Sequence, residues 1–382
     1  MGSHNFIRSW VAIPALMGSS ILHVVVFIVI STISNIVGAS SSLKQSDHLP
    51  LLNQSLSPLF VFGDSTVDPG NNNYIFTVAK CNFPPYGRDF PNHVPTGRFS
   101  NGRLVTDFIA SYIGVKENIP PYLDQSLSLE ELTTGVSFAS GGSGYDPLTS
   151  PSIGGVITIE RQLQYFREFK ARLEEGMGRK TMQRVLSNAV FLVSSGTNDL
   201  NAYFGTPSLR RQQYTLPAYR HFLLHLVQNF LQGLMEEGAQ RIGVVGLPPI
   251  GCLPTVITWD SQSPIYERKC LNAYSVAARE YNQMLQDRLR TMRPRFHKLA
   301  YIEIYKPLED MVQNPTKFGF DEVNKGCCGS GLFEYSVLCN PKSIVCSDAS
   351  KYLFWDAVHP TQAAYYYIFN TARPTIDDFF KT

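Results

Sequence analysis

Short apolar runs alternate with amphipathic segments along this chain, and that alternation constrains its fold more than any other feature. Five runs read as strands: residues 58–63 (PLFVFG), 135–140 (GVSFAS), 189–196 (AVFLVSSG), 241–247 (RIGVVGL) and 298–305 (KLAYIEIY). The third is continuously apolar, as a strand covered on both faces must be. Between the runs, Leu104, Val105, Phe108, Ile109, Tyr112 and Ile113 share one helical face, and so do Ile159, Leu163, Phe166, Phe169 and Leu173. A long helix is expected from Pro217 to Glu237 with Gly238 as its C-cap, a second over Leu271–Met292, and a closing one over Pro360–Thr371 with proline near its start. Strands that alternate with helices imply a parallel sheet between two helical layers. Hydrophobic residues make up 44% of the 382 and charged residues 17%, enough apolar matter for a filled core and too little charge for disorder. No repeat, low-complexity tract or linker divides the chain, so one domain is expected over 58–382.

The chain opens differently. Arg8 is the only charge before Lys44, an apolar stretch is densest over Ile21–Ile30, and Val37-Gly38-Ala39 places small residues where signal peptidase cuts. Residues 1–39 are therefore expected to be a signal peptide and 40–57 a polar leader. The competing reading is an uncleaved anchor, since the apolar region is long. Cleavage removes Arg8 alone, so the net charge falls from +2 to +1, no stable membrane span remains, and the chain is secreted. That charge and the absence of a Lys/Arg cluster exclude a nucleic-acid partner.

Export accounts for the cysteines. All seven lie beyond the expected cleavage point: Cys81, Cys252, Cys270, Cys327, Cys328, Cys339 and Cys346. The last four crowd into a segment, 319–350, that reads as an irregular stapled insertion. Their spacing lacks the paired C-x-x-C of a zinc site, so disulfides are the better reading. Four cysteines allow three pairings, among which sequence does not choose. One thiol is left over, and Cys81, remote from the others, is expected to be it. Asn53-Gln54-Ser55 is a glycosylation sequon, whereas Pro315 excludes Asn314.

In open parallel sheets, ligands bind beyond the carboxyl ends of the strands. The residues just past each expected strand are therefore informative. Gly63-Asp64-Ser65 comes after the first, Gly141-Gly142-Ser143-Gly144 after the second, and Gly196-Thr197-Asn198-Asp199 after the third; near the C-terminus comes Trp355-Asp356-Ala357-Val358-His359-Pro360. These supply a hydroxyl, an unencumbered backbone amide, a carboxamide, and an acid with an imidazole. Acyl transfer needs this set. A serine hydroxyl is a weak nucleophile until a base takes its proton. An imidazole, which titrates near pH 6.5 in water, can do so, and an acid holds it in the right tautomer. Ser65, His359 and Asp356 fill these roles. The amides of Ser65 and Gly144 and the side chain of Asn198 are candidate donors to an oxyanion, with glycine at 144 leaving no Cβ in the way.

Taken singly, each residue has a plainer reading. Ser65 could be a turn or N-cap serine, Asn198-Asp199 an Asx-turn, and Asp356 and His359 cap and surface residues. It is their joint placement after separate strands that favours chemistry. The G-x-S-x-G elbow of another serine-hydrolase class is missing; Ser143 and Ser330 lie between glycines without fitting it. His221 and His225, four apart on an expected helix, lack the glutamate of H-E-x-x-H and read as a surface pair. Asp68 and Asn71 to Asn73 read as fixing the loop after Ser65.

The stretches FGDSTVDPGNNN, GVSFASGGSGYD, SSGTNDL and YLFWDAVHPT together resemble the four blocks of the plant GDSL esterase/lipase family, within the SGNH hydrolases. FPPYGRDF, TGRFSNGR, GLPPIGCLP and the Cys-Cys-Gly segment resemble plant members as well, and the likeness covers about residues 58–375. Thr66 stands where the family name has Leu, and Ser137 where Asn is common. The resemblance implies a flavodoxin-like three-layer α/β/α sandwich with a parallel five-stranded sheet. It also implies nucleophile Ser65, oxyanion residues Gly144 and Asn198, the Asp356–His359 pair, and ester hydrolysis without a metal or other cofactor. Family substrates include lipids, cutin or wax precursors, acetylated polysaccharides and phenolic esters. A small-molecule or lipid ester is thus the expected partner. An acyltransferase would use the same residues and pass the acyl group to an alcohol, and a non-catalytic lipid- or cell-wall-binding protein could be built on the same scaffold.

Overall fold

The computed structural model describes residues 57–205, 207–260 and 267–380. The expected signal peptide, all but the last residue of the polar leader, and the Asn53 sequon lie outside them.

Four strands form a regular, wholly parallel sheet in the order β1 (Leu59–Gly63), β2 (Val190–Ser194), β3 (Arg241–Val245) and β4 (Lys298–Ile302). The fifth expected strand is present but irregular. Residues 134–140 run beside the free edge of β1, with Val61 N–H donating to Val136 O at 3.1 Å, Phe138 N–H to Val61 O at 2.7 Å and Ser140 N–H to Gly63 O at 3.0 Å. Only Val61↔Ser137 is an ordinary parallel bridge there. The outer side of this segment is taken up locally: Ser137 N–H donates to Pro120 O at 3.0 Å, and the Asn71 side chain donates to both Ser137 O and Ala139 O at 2.8 Å. A side-chain amide and a proline-rich turn thus close what would be an open sheet edge. Counted in chain order, the five pieces lie 2-1-3-4-5, the flavodoxin-like arrangement, whose switch point falls between β1 and β2.

Side chains alternate across the strands with period two. Phe60, Phe62, Phe191, Val193, Ile242 and Val244 face one helical layer, Ile159–Met177, Leu216–Glu236 and Asn272–Met292, where Phe166, Phe169 and Val227 meet them. Leu59, Val61, Val190, Leu192 and Ile302 face the other, made by Val105–Tyr112 and Gln362–Phe380. The helices start where the local chemistry allows: the hydroxyls of Thr158 and Thr215 accept the N–H groups of Arg161 and Ala218. Gly238 stands just beyond the end of Leu216–Glu236, its N–H returning to Met235 O at 2.9 Å. The closing helix runs further than its sequence signal. It continues through Pro374 to Phe380 because Ile376, Phe379 and Phe380 are all buried; that burial outweighs the local cost of an interior proline. Among the described residues, no helix is long and apolar enough to cross a membrane.

Disulfides join Cys252 to Cys270, Cys327 to Cys346 and Cys328 to Cys339, while Cys81 is free and buried. The two bridges of the insertion sit between the short strands β5 (Glu322–Gly326) and β6 (Tyr352–Phe354), which pair in parallel. Just beyond β5, Cys327 N–H donates to Phe354 O and Cys328 N–H to Trp355 O, at 3.0 and 2.9 Å. The insertion is therefore strapped to the segment that leads into Asp356.

Candidate active site

The first site residue stands where β1 is forced to stop. Gly63 has φ 139°, and a Cβ there would lie 1.8 Å from Ser194 O, so only glycine fits this turn. Asp64 N–H makes the last link to β2 at Ser194 O, 3.0 Å. The Asp64 carboxylate then accepts the Thr66 N–H and hydroxyl at 3.0 and 2.7 Å, closing a turn that presents Ser65 at the switch point. Thr66 Oγ1, its proton given to Asp64, lies 2.9 Å from Ser194 Oγ, from which it accepts. Gln162, buried in the helix Ile159–Met177, grips the strand end: its Oε1 accepts Gly63 N–H at 2.8 Å and its Nε2 donates to Gly63 O at 2.9 Å and to Ser143 Oγ at 3.2 Å.

His359 Nε2 lies 2.8 Å from Ser65 Oγ, and His359 Nδ1 lies 2.8 and 2.9 Å from the two oxygens of Asp356. An ionised carboxylate only accepts, so Nδ1 carries the ring proton, and Nε2 is left to accept the serine O–H. Asp356 is 0% exposed and His359 4%, so the charge of Asp356 has to be met inside the protein. Val358 N–H and His359 N–H donate to its Oδ1 at 2.9 and 2.7 Å, and the Tyr86 hydroxyl donates to its Oδ2 at 2.7 Å. Phe99 packs on the imidazole with ring centroids 5.1 Å apart.

Asn198 stands in the first turn of the helix Thr197–Phe204, and its Nδ2 donates to Ser143 O at 2.9 Å. This bond brings it beside Gly144. A Cβ at 144 would lie 2.1 Å from Asp199 Oδ1. The Asp199 carboxylate holds the adjoining chain, accepting Tyr145 N–H at 2.8 Å, Asp146 N–H at 3.0 Å and the Thr149 hydroxyl at 2.6 Å. Burial pushes Asp199 up to about 7 against these three donors. Among the described residues, the backbone amides of Ser65 and Gly144 donate to no protein acceptor. Asn198 shares one cavity with Ser65 and His359, and its bond to Ser143 O sets it next to the uncommitted Gly144 amide.

All five residues singled out by their positions after strands thus meet at one end of the sheet. Asp68 and the asparagines do fix the adjoining loop: Asp68 accepts the N–H groups of Gly70, Asn71 and Gly141, and Asn72 Nδ2 donates to Ala79 O and Gly141 O. His221 and His225 are exposed on the surface of their helix. Sequence reasoning missed Gln162, Tyr86 and the holding role of Asp199. For Gln162 a signal existed, since it falls on the same buried helical stripe as Ile159, Phe166 and Phe169.

A single cavity opens at Ser65, Asn198 and His359 and extends beneath the sheet on the side of the closing helix. Its volume is about 90 Å³, several times the ~10–15 Å³ needed for one water. Beyond its mouth the wall is almost wholly apolar.

The GDSL-like Lipase/Acylhydrolase profile matches residues 59–372. A GDSL esterase/lipase of Arabidopsis thaliana is 52% identical over 343 residues, spanning 89% of this chain and 91% of its own length. A second from the same plant is 42% identical over 349 residues, spanning 90% and 95% of the two chains. A third is 46% identical over 328 residues, spanning 83% and 90%. Among solved structures, a lipase from a goat-rumen metagenome aligns over 83% of this chain and 96% of its own, with 11% identity and a TM-score of 0.38.

Proposed function

This chain belongs to the GDSL-like lipase/acylhydrolase family and is an ester hydrolase, and from that premise we propose that it works through an acyl-enzyme on Ser65. The observation that carries this reading is the relay of contacts from Ser65 Oγ to His359 Nε2 at 2.8 Å and from His359 Nδ1 to Asp356 at 2.8 Å. As Oγ attacks the ester carbonyl, its proton passes to Nε2, and Asp356 stabilises the imidazolium that forms. The tetrahedral intermediate places its oxyanion among the amides of Ser65 and Gly144 and the carboxamide of Asn198. Collapse returns the proton from Nε2 to the departing alkoxide, so the alcohol leaves neutral and the acyl group stays on Ser65. Water, deprotonated by the same imidazole, then frees the acid and restores the serine.

The substrates on this reading are lipid esters or esters of cell-wall and cuticle material, and the protein acts outside the cell. Three disulfides support an oxidising destination. The experiment is p-nitrophenyl butyrate hydrolysis by purified, disulfide-intact protein beside Ser65→Ala. Loss of activity in the variant supports the acyl-enzyme; equal rates in both proteins overturn it.

A further inference from the structure

We propose that the cavity beneath the sheet is a blind channel for the acyl half of the ester, shaped for an unbranched aliphatic chain of about twelve carbons and ended by Ala372 and Ile376. The proposal rests on the acyl-enzyme reading above, and it adds which half of the substrate enters the protein and how long that half is.

The wall settles the chemistry. On the sheet side it is built by Leu192, Val245 and Ile302, and on the helix side by Ile368, Ala372 and Ile376. All six are buried. An apolar space of this size stays dry and rewards an apolar guest. Of the polar residues that also line the cavity, Ser65, Asn198 and His359 handle the carbonyl, while Ser195 and Tyr365 keep buried hydroxyls without a protein partner.

The order of events decides which half of the ester enters. The alcohol must leave before water can attack the acyl-enzyme, so it needs a free path outward. The acyl group stays tethered to Ser65 Oγ throughout and can occupy a dead end. A channel that begins at the serine and finishes among buried side chains suits the tethered half and would trap the leaving one.

The closing helix supplies a ruler. Tyr365, Ile368, Ala372 and Ile376 all line the cavity and succeed one another at spacings of three and four on one helical face. From the first to the last the helix rises about 16 Å. An extended hydrocarbon with C–C bonds near 1.5 Å advances about 1.3 Å per carbon, so this length holds about twelve. Ala372, the smallest of the four, leaves room for the chain as it nears its end beside Ile376.

The test compares kcat/KM for p-nitrophenyl acetate, butyrate, octanoate, laurate and palmitate in the wild type and in Ala372→Phe. Each methylene that enters the channel adds up to about fourfold. The wild type is expected to gain at least 100-fold from acetate to laurate and to lose ground at palmitate. In Ala372→Phe the laurate-to-butyrate ratio should fall at least tenfold. A wild-type profile that is flat or declines from acetate onward overturns the channel while leaving the esterase reading intact, as does an unchanged ratio in the variant. No hydrolysis of any ester by the folded wild type overturns the esterase reading itself. Should Ala372→Phe fail to fold, laurate binding to Ser65→Ala decides: laurate should raise its Tm while acetate at the same concentration does not, and equal effects overturn the channel.

Discussion

Tyr86 donates its hydroxyl proton to Asp356 Oδ2 across 2.7 Å, and both residues are fully buried although 270 positions separate them. The same hydroxyl oxygen accepts Ser336 N–H at 2.8 Å. Burial and the neighbouring charge of Asp356 hold the phenol well above its usual range, so it remains a donor. Tyr86 is thus a positioning residue for the carboxylate that orients His359. A hydrogen bond to a charged group contributes about 1.5–3 kcal/mol, so Tyr86→Phe should lower kcat about tenfold with KM little changed. A matching loss in KM, or full kcat, would show that Asp356 keeps its orientation unaided.

The carboxamide of Asn198 is expected to strengthen its contact only when the oxyanion forms. Asn198→Ala should lower kcat about 100- to 1,000-fold. Gly144→Ala should do at least as much, because its methyl group would meet Asp199 Oδ1 at 2.1 Å and displace the amide. Steady-state kinetics on a soluble ester checks both, with Tm recorded alongside. A kcat for Asn198→Ala within threefold of wild type would remove it from the oxyanion site.

Stability should fall as pH rises through the weakly acidic range. Asp199 sits at about 7 in the folded protein against 3.8 for an ordinary aspartate, and Asp64 and Asp68 at about 6. Between those limits the native state keeps protons that the unfolded chain has already released. The contribution is therefore complete below about pH 4 and is lost as pH climbs to about 7. Asp199→Asn removes one such group. The Tm gap between wild type and this variant should shrink from pH 5 to pH 8, and a gap that widens or stays constant contradicts the assignment.

The bridge Cys328–Cys339 lies beside Ser336, the residue that donates to Tyr86. Replacing both cysteines by serine should cost about 2–4 kcal/mol of stability. It should also lower kcat, since Tyr86 loses a fixed partner on its far side. Denaturant unfolding and kcat measured on one preparation test this together; a stability loss with kcat preserved would confine the bridge to the scaffold.

Much of the fold and the site was visible in the chain. The continuous run at 189–196 announced a strand with both faces covered, and the candidate residues Ser65, Gly144, Asn198, Asp356 and His359 were legible because each comes after an expected strand or closes the chain near the last one. Other features were hidden for physical reasons. Residues 135–140 carry a strand pattern, but whether they pair regularly depends on Pro120 and Asn71, which meet them only in the fold. The closing helix was expected to end at Thr371, and only burial of the residues beyond shows why it persists through Pro374 to Phe380. Tyr86 has no local pattern at all, because its partner is brought to it by tertiary closure. The pairing of the crowded cysteines is likewise a matter of loop geometry that spacing does not encode.

Cys81 has a consequence for the lifetime of the molecule. Burial, and then the negative charge of Asp356, push its thiol well above the usual range. Thiol–disulfide exchange proceeds through the thiolate, and at this position almost none forms. An unpaired sulfur within a chain that carries three cross-links would ordinarily invite reshuffling. Here burial, aided by the charge that orients the imidazole, keeps that sulfur inert, so the cross-links, once made, face no competitor from within.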